Sequence, residues 1–336
     1  MALIVQKYGG SSVGTLDRIR NVAARIKRVR DAGNQVVAVV SAMGGVTDRL
    51  LGMAKELNPN APERELDVLL SSGEQQSIAL IAMALQNMGV DAVSATGRQA
   101  GIQTIGSHTR GRIDDIDPSL IKGYLAEGKV VIIAGFQGTT KDGLIHTLGR
   151  GGSDLSAIAV ASSLDANVCQ ILTDVDGVYT CDPRIVTDAR KLPEISYDEM
   201  LEMASLGAKV MQPTSVQDAK LNKIDIKVKS SFVSKPGTLI TNSSKAFSDQ
   251  IITGISSTKN DAKITIEGVK DRPGVAASIF KPLSQNLINV DMVVQNISLN
   301  GKETDLTFTI KSDDLKKAEK FIKQNKKISY KKLSFD

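Results

Sequence analysis

The chain has 336 residues, 41% of them apolar, which is enough to bury two separate cores. Its formal net charge of +5 is small for that length, and no block of lysine and arginine is interleaved with aromatics, which argues against a nucleic-acid partner. Two cysteines, Cys169 and Cys181, exclude a disulfide framework, and two histidines, His108 and His146, exclude a His-rich metal site and leave little from which to build a Ser-His-Asp hydrolase.

The first segment, Leu3 to Gln6, reads as a short buried strand and runs into Lys7-Tyr8-Gly9-Gly10-Ser11-Ser12 before a helix begins near Thr15. This opening is not a charged leader, and no apolar run approaches the ~20 residues that cross a bilayer, so a cytoplasmic protein without a membrane partner is expected. In the helix, Ile19, Val22, Ala23, Ile26 and Val29 recur at helical spacing, Arg18, Arg25 and Arg28 face away, and Gly33 supplies the stop. Val36 to Val40 is a second strand, followed by the turn Ser41-Ala42-Met43-Gly44-Gly45. Val130 to Ala134 is a further buried strand that leads into Gly135-Phe136-Gln137-Gly138. The turn Leu148 to Asp154 precedes an apolar helix, Leu155 to Leu164, and Val168 to Leu172 is the next strand. Short buried strands alternating with helices predict an α/β fold, a mostly parallel sheet covered on both faces, with ligands at the strand ends.

Composition changes at Asn242-Ser243-Ser244-Lys245, which suggests one domain over 1–245 and another over 251–336. The second reads as a strand at Lys263 to Val269, a helix at Gly274 to Gln285, a strand at Ile288 to Ile297, a turn at Gly301 and a strand at Thr304 to Ile310. A helix from Asp313 follows, with Ser312 as N-cap and Leu315, Ala318, Phe321 and Ile322 on its apolar side. A last strand near Ile328 to Leu333 completes a βαββαβ, ferredoxin-like order. The lysines from Lys316 to Lys332 read as a solvated face.

Three glycine-rich turns at strand ends are what a polyphosphate site needs, because glycine lets backbone N–H groups approach phosphate oxygens and a helix N-terminus adds a favourable dipole. None matches the G-x-x-x-x-G-K-[ST] loop or the dinucleotide G-x-G-x-x-G, so the two commonest nucleotide folds are disfavoured. Lys7 at the lip of the first turn can reach a transferring phosphoryl group as a point charge. With Arg150 and Asp154 in the third turn it forms a candidate clamp for phosphates and their Mg²⁺.

Lys7-Tyr8-Gly9-Gly10-Ser11-Ser12-Val13 resembles the N-terminal signature of aspartate kinases in the amino-acid kinase family. Ser71-Ser72-Gly73-Glu74, Gly149 to Asp154, Thr173 to Tyr179, Asp182-Pro183-Arg184 and Gly207-Ala208-Lys209-Val210-Met211 are similar to that family's further motifs, in the same order. The resemblance implies a three-layer αβα kinase domain using ATP, Mg²⁺ and L-aspartate. Lys7, Tyr8, Gly9 and Gly10 would hold the phosphates, and Thr173, Asp174, Tyr179, Asp182, Arg184 and Lys209 the rest of the nucleotide. Ser41, Thr47, Glu74, Arg150, Gly151 and Ser153 would hold aspartate, Glu74 on its amino group and Arg150 on its α-carboxylate. Lys7, Arg150 and Asp154 would be catalytic, with no protein metal site. A carboxylate with a pKa near ~4 is ionised at neutral pH, so making an acyl phosphate needs no general base. Gln212 and Thr214 depart from the family's more frequent His and Arg. A kinase for another small acid and a non-catalytic amino-acid sensor are the alternatives.

Val269 to Ala277 and Ile288 to Asn296 resemble an ACT module. Asp271, Gly274, Val275 and Ala276, with Gln295 and Asn296 opposite, would take an amino-acid effector, lysine or threonine, and the module would support a homo-oligomer or a complex with a regulatory subunit. A purely dimerising unit is the alternative. The resemblance implies two ACT modules in tandem, of which this sequence supplies one. The strand expected at Ile251 to Ser257 would belong to the missing one and be poorly covered.

Overall fold

The computed structural model describes residues 1–149, 151–208, 210–242, 252–258, 260–286, 288–297, 303–325 and 328–336, which form two units, Met1–Ser256 and Ser257–Asp336. In the first unit, two runs without a polar interruption become central strands: Gln35–Val40 and Val130–Ala134 are buried along almost their whole length. The eight-stranded sheet runs Glu194–Ser196, Thr238–Thr241, Ile226–Ser230, Val168–Thr173, Leu3–Tyr8, Gln35–Val40, Val130–Ala134, Ala92–Ala95. Its pairings are parallel except that between Ile226–Ser230 and Thr238–Thr241.

Side chains alternate across the strands, so one run feeds two cores. Val37 and Val39 pack with Ala157, Ile158 and Ala161 of helix Gly152–Ser163 on one face. Val36, Ala38 and Val40 pack with Ile19, Val22 and Ile26 of helix Leu16–Asp31, and with Ile78, Ile81 and Leu85 of helix Glu63–Asn87, on the other. This is the expected αβα sandwich. Helix Glu63–Asn87 is long and apolar enough to cross a bilayer, but half of its apolar stretch is buried in this core.

Several expectations are corrected. A four-stranded sheet of Arg112–Ile116, Ile102–Ile105, Gln137–Thr139 and Ile145–Thr147, not anticipated from the sequence, packs beside helix Glu63–Asn87. The helix expected from Leu155 starts at Gly152, because Gly151 takes a left-handed φ of 74° and turns the chain directly into it. In the expected strand from Ile251, residue 251 lies outside the described residues and 252–258 form no strand. Instead Ile255 N–H donates to the Thr180 carbonyl at 2.7 Å, leaving Ile252 and Ile255 exposed.

The second unit pairs its strands antiparallel in the order Val290–Ile297, Glu303–Lys311, Asp261–Lys270, Lys332–Phe335, with helices Val275–Gln285 and Leu315–Gln324. Ile264, Ile266, Phe308, Ile279 and Ile322 fill its core. Ser312 caps no helix by its side chain: Ser312–Asp314 is a 3₁₀ turn ahead of Leu315. The last strand falls later than expected, because Ile328 is buried in a turn whose N–H donates to the Asn325 carbonyl.

Candidate active site

Parallel strands end on one side of a sheet, and the turns that follow Tyr8, Val40, Ala134 and Thr173 meet there. Ser41 N–H donates to the Tyr8 carbonyl and Gly44 N–H to the Gly10 carbonyl, each at 3.0 Å, which ties the first two turns together. A Cβ on Gly10 would sit 2.9 Å from the Ala42 carbonyl oxygen, so only glycine fits this approach.

The turns after Tyr8, Val40 and Ala134, with Gly149 and residues 151–154, line a cavity of about 580 Å³. Lys7, Gly10, Ser41, Thr47, Glu74, Gly151, Ser153 and Asp154 line it, as do Asp48 and Phe136, which the sequence reading did not name. Lys7 Nζ lies 2.6 Å from Asp154 Oδ1, both largely buried, and Asp154 sits in the first turn of its helix, where the dipole favours a negative charge. The pair is close but poorly directed: no donor reaches Oδ1 at hydrogen-bonding angles among the described residues. Phe136 holds a φ of 65°, an uncommon strain for a bulky residue, fixed by its N–H on the Ser156 hydroxyl.

Glu74 is 3% exposed and faces the cavity from helix Glu63–Asn87. Its Oε1 accepts the Ala42 N–H at 3.0 Å, whereas Oε2 has no partner among the described residues. Burial pushes its pKa up to about 7, against which the Ala42 hydrogen bond works. A buried carboxylate oxygen with no partner is costly unless a cationic ligand completes it.

The remaining expected residues are placed differently. Arg150 and Lys209 lie outside the described residues. Tyr8 points into the core, where its hydroxyl donates to Gln6 Oε1 and burial raises its pKa. Gly9 sits beside the Lys7 amine, which a Cβ there would approach to 3.6 Å. Thr173, Asp174, Tyr179, Asp182 and Arg184 do not line the cavity and follow from the neighbouring strand Val168–Thr173. The Thr173 carbonyl accepts from Ser231, whose hydroxyl in turn accepts from Ser12 in the first turn. Tyr179 donates to Asp176, which also pairs with Lys235 at 2.9 Å and Lys191 at 3.6 Å; the Lys235 hydrogen bond is the main cause of an Asp176 pKa near 2. Asp182 and Arg184 close on each other in an exposed pair.

In the second unit, Gly274 takes a left-handed φ of 86° at the N-cap of helix Val275–Gln285. Thr304 pairs with Val269 on one side and Ile297 on the other. The Asp271–Ala276 turn and Gln295–Asn296 therefore share one end of the sheet.

One cluster went unread in the sequence. Asp67, His108 and His146 come together, each with a donor atom within 4.8 Å of the others. Asp67 Oδ2 lies 2.6 Å from His108 Nδ1, and Asp67 Oδ1 accepts the Thr147 hydroxyl and N–H and the Thr109 N–H. Burial, and then the neighbouring His108, lower the His146 pKa.

Residues 2–230 match the amino acid kinase family and residues 264–325 an ACT domain. The aspartokinase of Mycolicibacterium smegmatis is 47% identical over 341 residues, taking in 100% of this chain and 81% of that one. Among solved structures, the aspartate kinase from Synechocystis is 40% identical with a TM-score of 0.65, covering 100% of this chain and 58% of its own. E. coli aspartokinase III, solved in complex with aspartate and ADP, is 26% identical with a TM-score of 0.75 over 92% of this chain and 78% of its own. With its turns, its sheet and these relatives in agreement, the chain belongs to the amino acid kinase family, among its aspartate kinases, and carries an ACT domain after the kinase domain.

Proposed function

We propose that the chain transfers the γ-phosphoryl group of ATP to the side-chain carboxylate of L-aspartate, giving ADP and 4-phospho-L-aspartate. The observation that carries this reading is that Oε2 of buried Glu74 has no partner among the described residues, in the same cavity as the Lys7–Asp154 pair. Glu74 would take the substrate ammonium, which restores the ionised carboxylate that burial disfavours. Arg150 would take the α-carboxylate, and Ser41, Thr47, Gly151 and Ser153 would fix the backbone end. Lys7, with the Gly9 and Gly10 amides, would neutralise the charge that spreads over the phosphoryl oxygens. The acceptor carboxylate is already ionised, so alignment replaces proton abstraction. Asp154 fits Mg²⁺, since its Oδ1 lacks a well-directed donor among the described residues, and the ion would offset charge on the phosphates. Thr173, Asp174, Tyr179, Asp182, Arg184 and Lys209 would hold the nucleotide.

An acetylated amino group would leave Glu74 Oε2 unpaired, which disfavours an N-acetylated substrate. The ACT domain would bind lysine or threonine between Asp271–Ala276 and Gln295–Asn296 and join copies of the chain or a regulatory subunit. The enzyme would be cytoplasmic and would begin the route to lysine, threonine and methionine. A coupled ADP-release assay with aspartate, Mg²⁺ and ATP tests the reaction; equal rates for the unaltered chain and Lys7→Ala would sink the mechanism.

A further inference from the structure

The geometry points to Asp67, His108 and His146 as a binding site for one divalent cation of the zinc class, separate from the phosphate-handling cavity and independent of the reaction proposed above. These are the only two histidines in the chain, and they converge on a single carboxylate from a small-sheet strand, Ile145–Thr147, and from the loop after Ile102–Ile105. Two imidazoles and one carboxylate, with a fourth position left for water, is a donor set that zinc accepts in tetrahedral geometry.

Three features go beyond the chance meeting of polar groups. Asp67 is 0% exposed, and its Oδ1 is held by the Thr147 hydroxyl at 2.6 Å and by the Thr147 and Thr109 N–H groups at 3.1 and 3.0 Å. That is the outer ring of hydrogen bonds that orients a ligating carboxylate; Oδ2 faces His108 and also accepts the shared Thr109 N–H at 3.2 Å. His146 is 3% exposed, yet its Nδ1 has no partner among the described residues, and a buried imidazole nitrogen left so calls for an explanation such as an ion. Its ring meets that of His108 edge to face at 4.7 Å between centroids, which brings the two imidazoles to one spot.

The 2.6 Å contact between Asp67 Oδ2 and His108 Nδ1 is a hydrogen bond, and the cation would replace its shared proton. Tetrahedral zinc with bonds of about 2.0–2.1 Å spaces its donors about 3.3 Å apart. Donors now up to 4.8 Å apart would have to close while the 2.6 Å Asp67–His108 pair opens, and His108 can supply the movement because its side chain is 24% exposed on a loop. Cys181, half-buried, is the rival soft ligand that the experiment has to separate.

Zinc is titrated into the full chain, free of nucleotide, against a chromophoric chelator, and cobalt is titrated in parallel for the visible d–d absorption of a tetrahedral site. One equivalent of each is expected to bind. His146→Asn and His108→Asn should each abolish both signals, Thr147→Val should weaken zinc binding by roughly 10–100-fold, and Cys181→Ser should change nothing. Circular dichroism accompanies each variant, and His108→Asn, at a partly exposed position, keeps the test decisive should His146→Asn fail to fold. Absence of zinc uptake by the unaltered chain overturns the proposal, as does uptake that survives in folded His108→Asn or that disappears in Cys181→Ser.

Discussion

Two regions of the first unit, the glycine-lined cavity and the segment after strand Val168–Thr173, are built on opposite electrostatic terms. Around the cavity, Glu74 is 3% exposed with one oxygen unpartnered among the described residues, and Lys7 and Asp154 pair almost out of solvent. Along the strand next door, Asp182 and Arg184 satisfy each other in the open, and Asp176 already holds Tyr179, Lys191 and Lys235. Desolvated groups left incomplete gain most when a ligand arrives, whereas exposed and mutually paired ones must first give up a partner. Discrimination should therefore sit in the cavity, and the outer region should tolerate change.

The largest effect is expected at Lys7. Lys7→Ala removes the charge proposed to meet the transferred group and should lower kcat by about 10²–10³-fold in the coupled ADP assay. A loss confined to KM would place Lys7 in simple binding and break the contrast.

Next comes Glu74→Gln, which should raise KM for aspartate roughly 10–100-fold, as losing a charge-assisted hydrogen bond does, with KM for ATP unchanged. The same residue makes a prediction in pH. Unfolded, Glu74 releases its proton near the ordinary carboxyl value of 4.5; folded, burial pushes this up to about 7. The folded state holds the extra proton between these values, so stability falls as pH rises through that window, by about 3 kcal/mol when complete. Denaturant melts at pH 4.5 and pH 8 should show this decline in the unaltered chain and a much smaller one in Glu74→Gln. Affinity for aspartate should fall as pH drops below 7, because the protonated carboxyl cannot pair with an ammonium.

A smaller effect is expected from Gly10→Ala, whose methyl would press the Ala42 carbonyl from 2.9 Å and part the first two turns. A fall in kcat of about 10–100-fold with the circular dichroism spectrum retained would fit a displaced Lys7 turn. Smallest of all should be Arg184→Ala, with less than about threefold change in KM for ATP and an unaltered Tm, since its partner Asp182 stays solvated. A tenfold rise there would show that the outer region also selects.

Much of this was legible in the residues. Short, β-branched apolar runs ending at glycine-rich turns, such as Val36 to Val40, read as buried strands, and the Gly9-Gly10 and Gly44-Gly45 pairs mark where backbones approach. The small sheet was not legible, because strands of three residues such as Gln137–Thr139 and Ile145–Thr147 carry no period to read. Tyr8 was read with the phosphates for its place in a motif, but strand alternation turns its ring into the core. Asp67 and His108 are 41 positions apart and Asp67 and Thr147 are 80 apart, so their meeting depends on how a helix docks on a sheet. The burial of Glu74, on which the proposed chemistry rests, likewise arises only once the turn at Ala42 closes over it.

Asp67 and Glu74 stand seven positions apart on one helix, two turns and so about 10 Å along its axis. The rod that carries Glu74 into the cavity thus also braces, through Thr147, the strand that feeds the third glycine turn. A slide or tilt of that rod would move both grips in step, and natural variants that repack its apolar underside should carry matched changes at both ends.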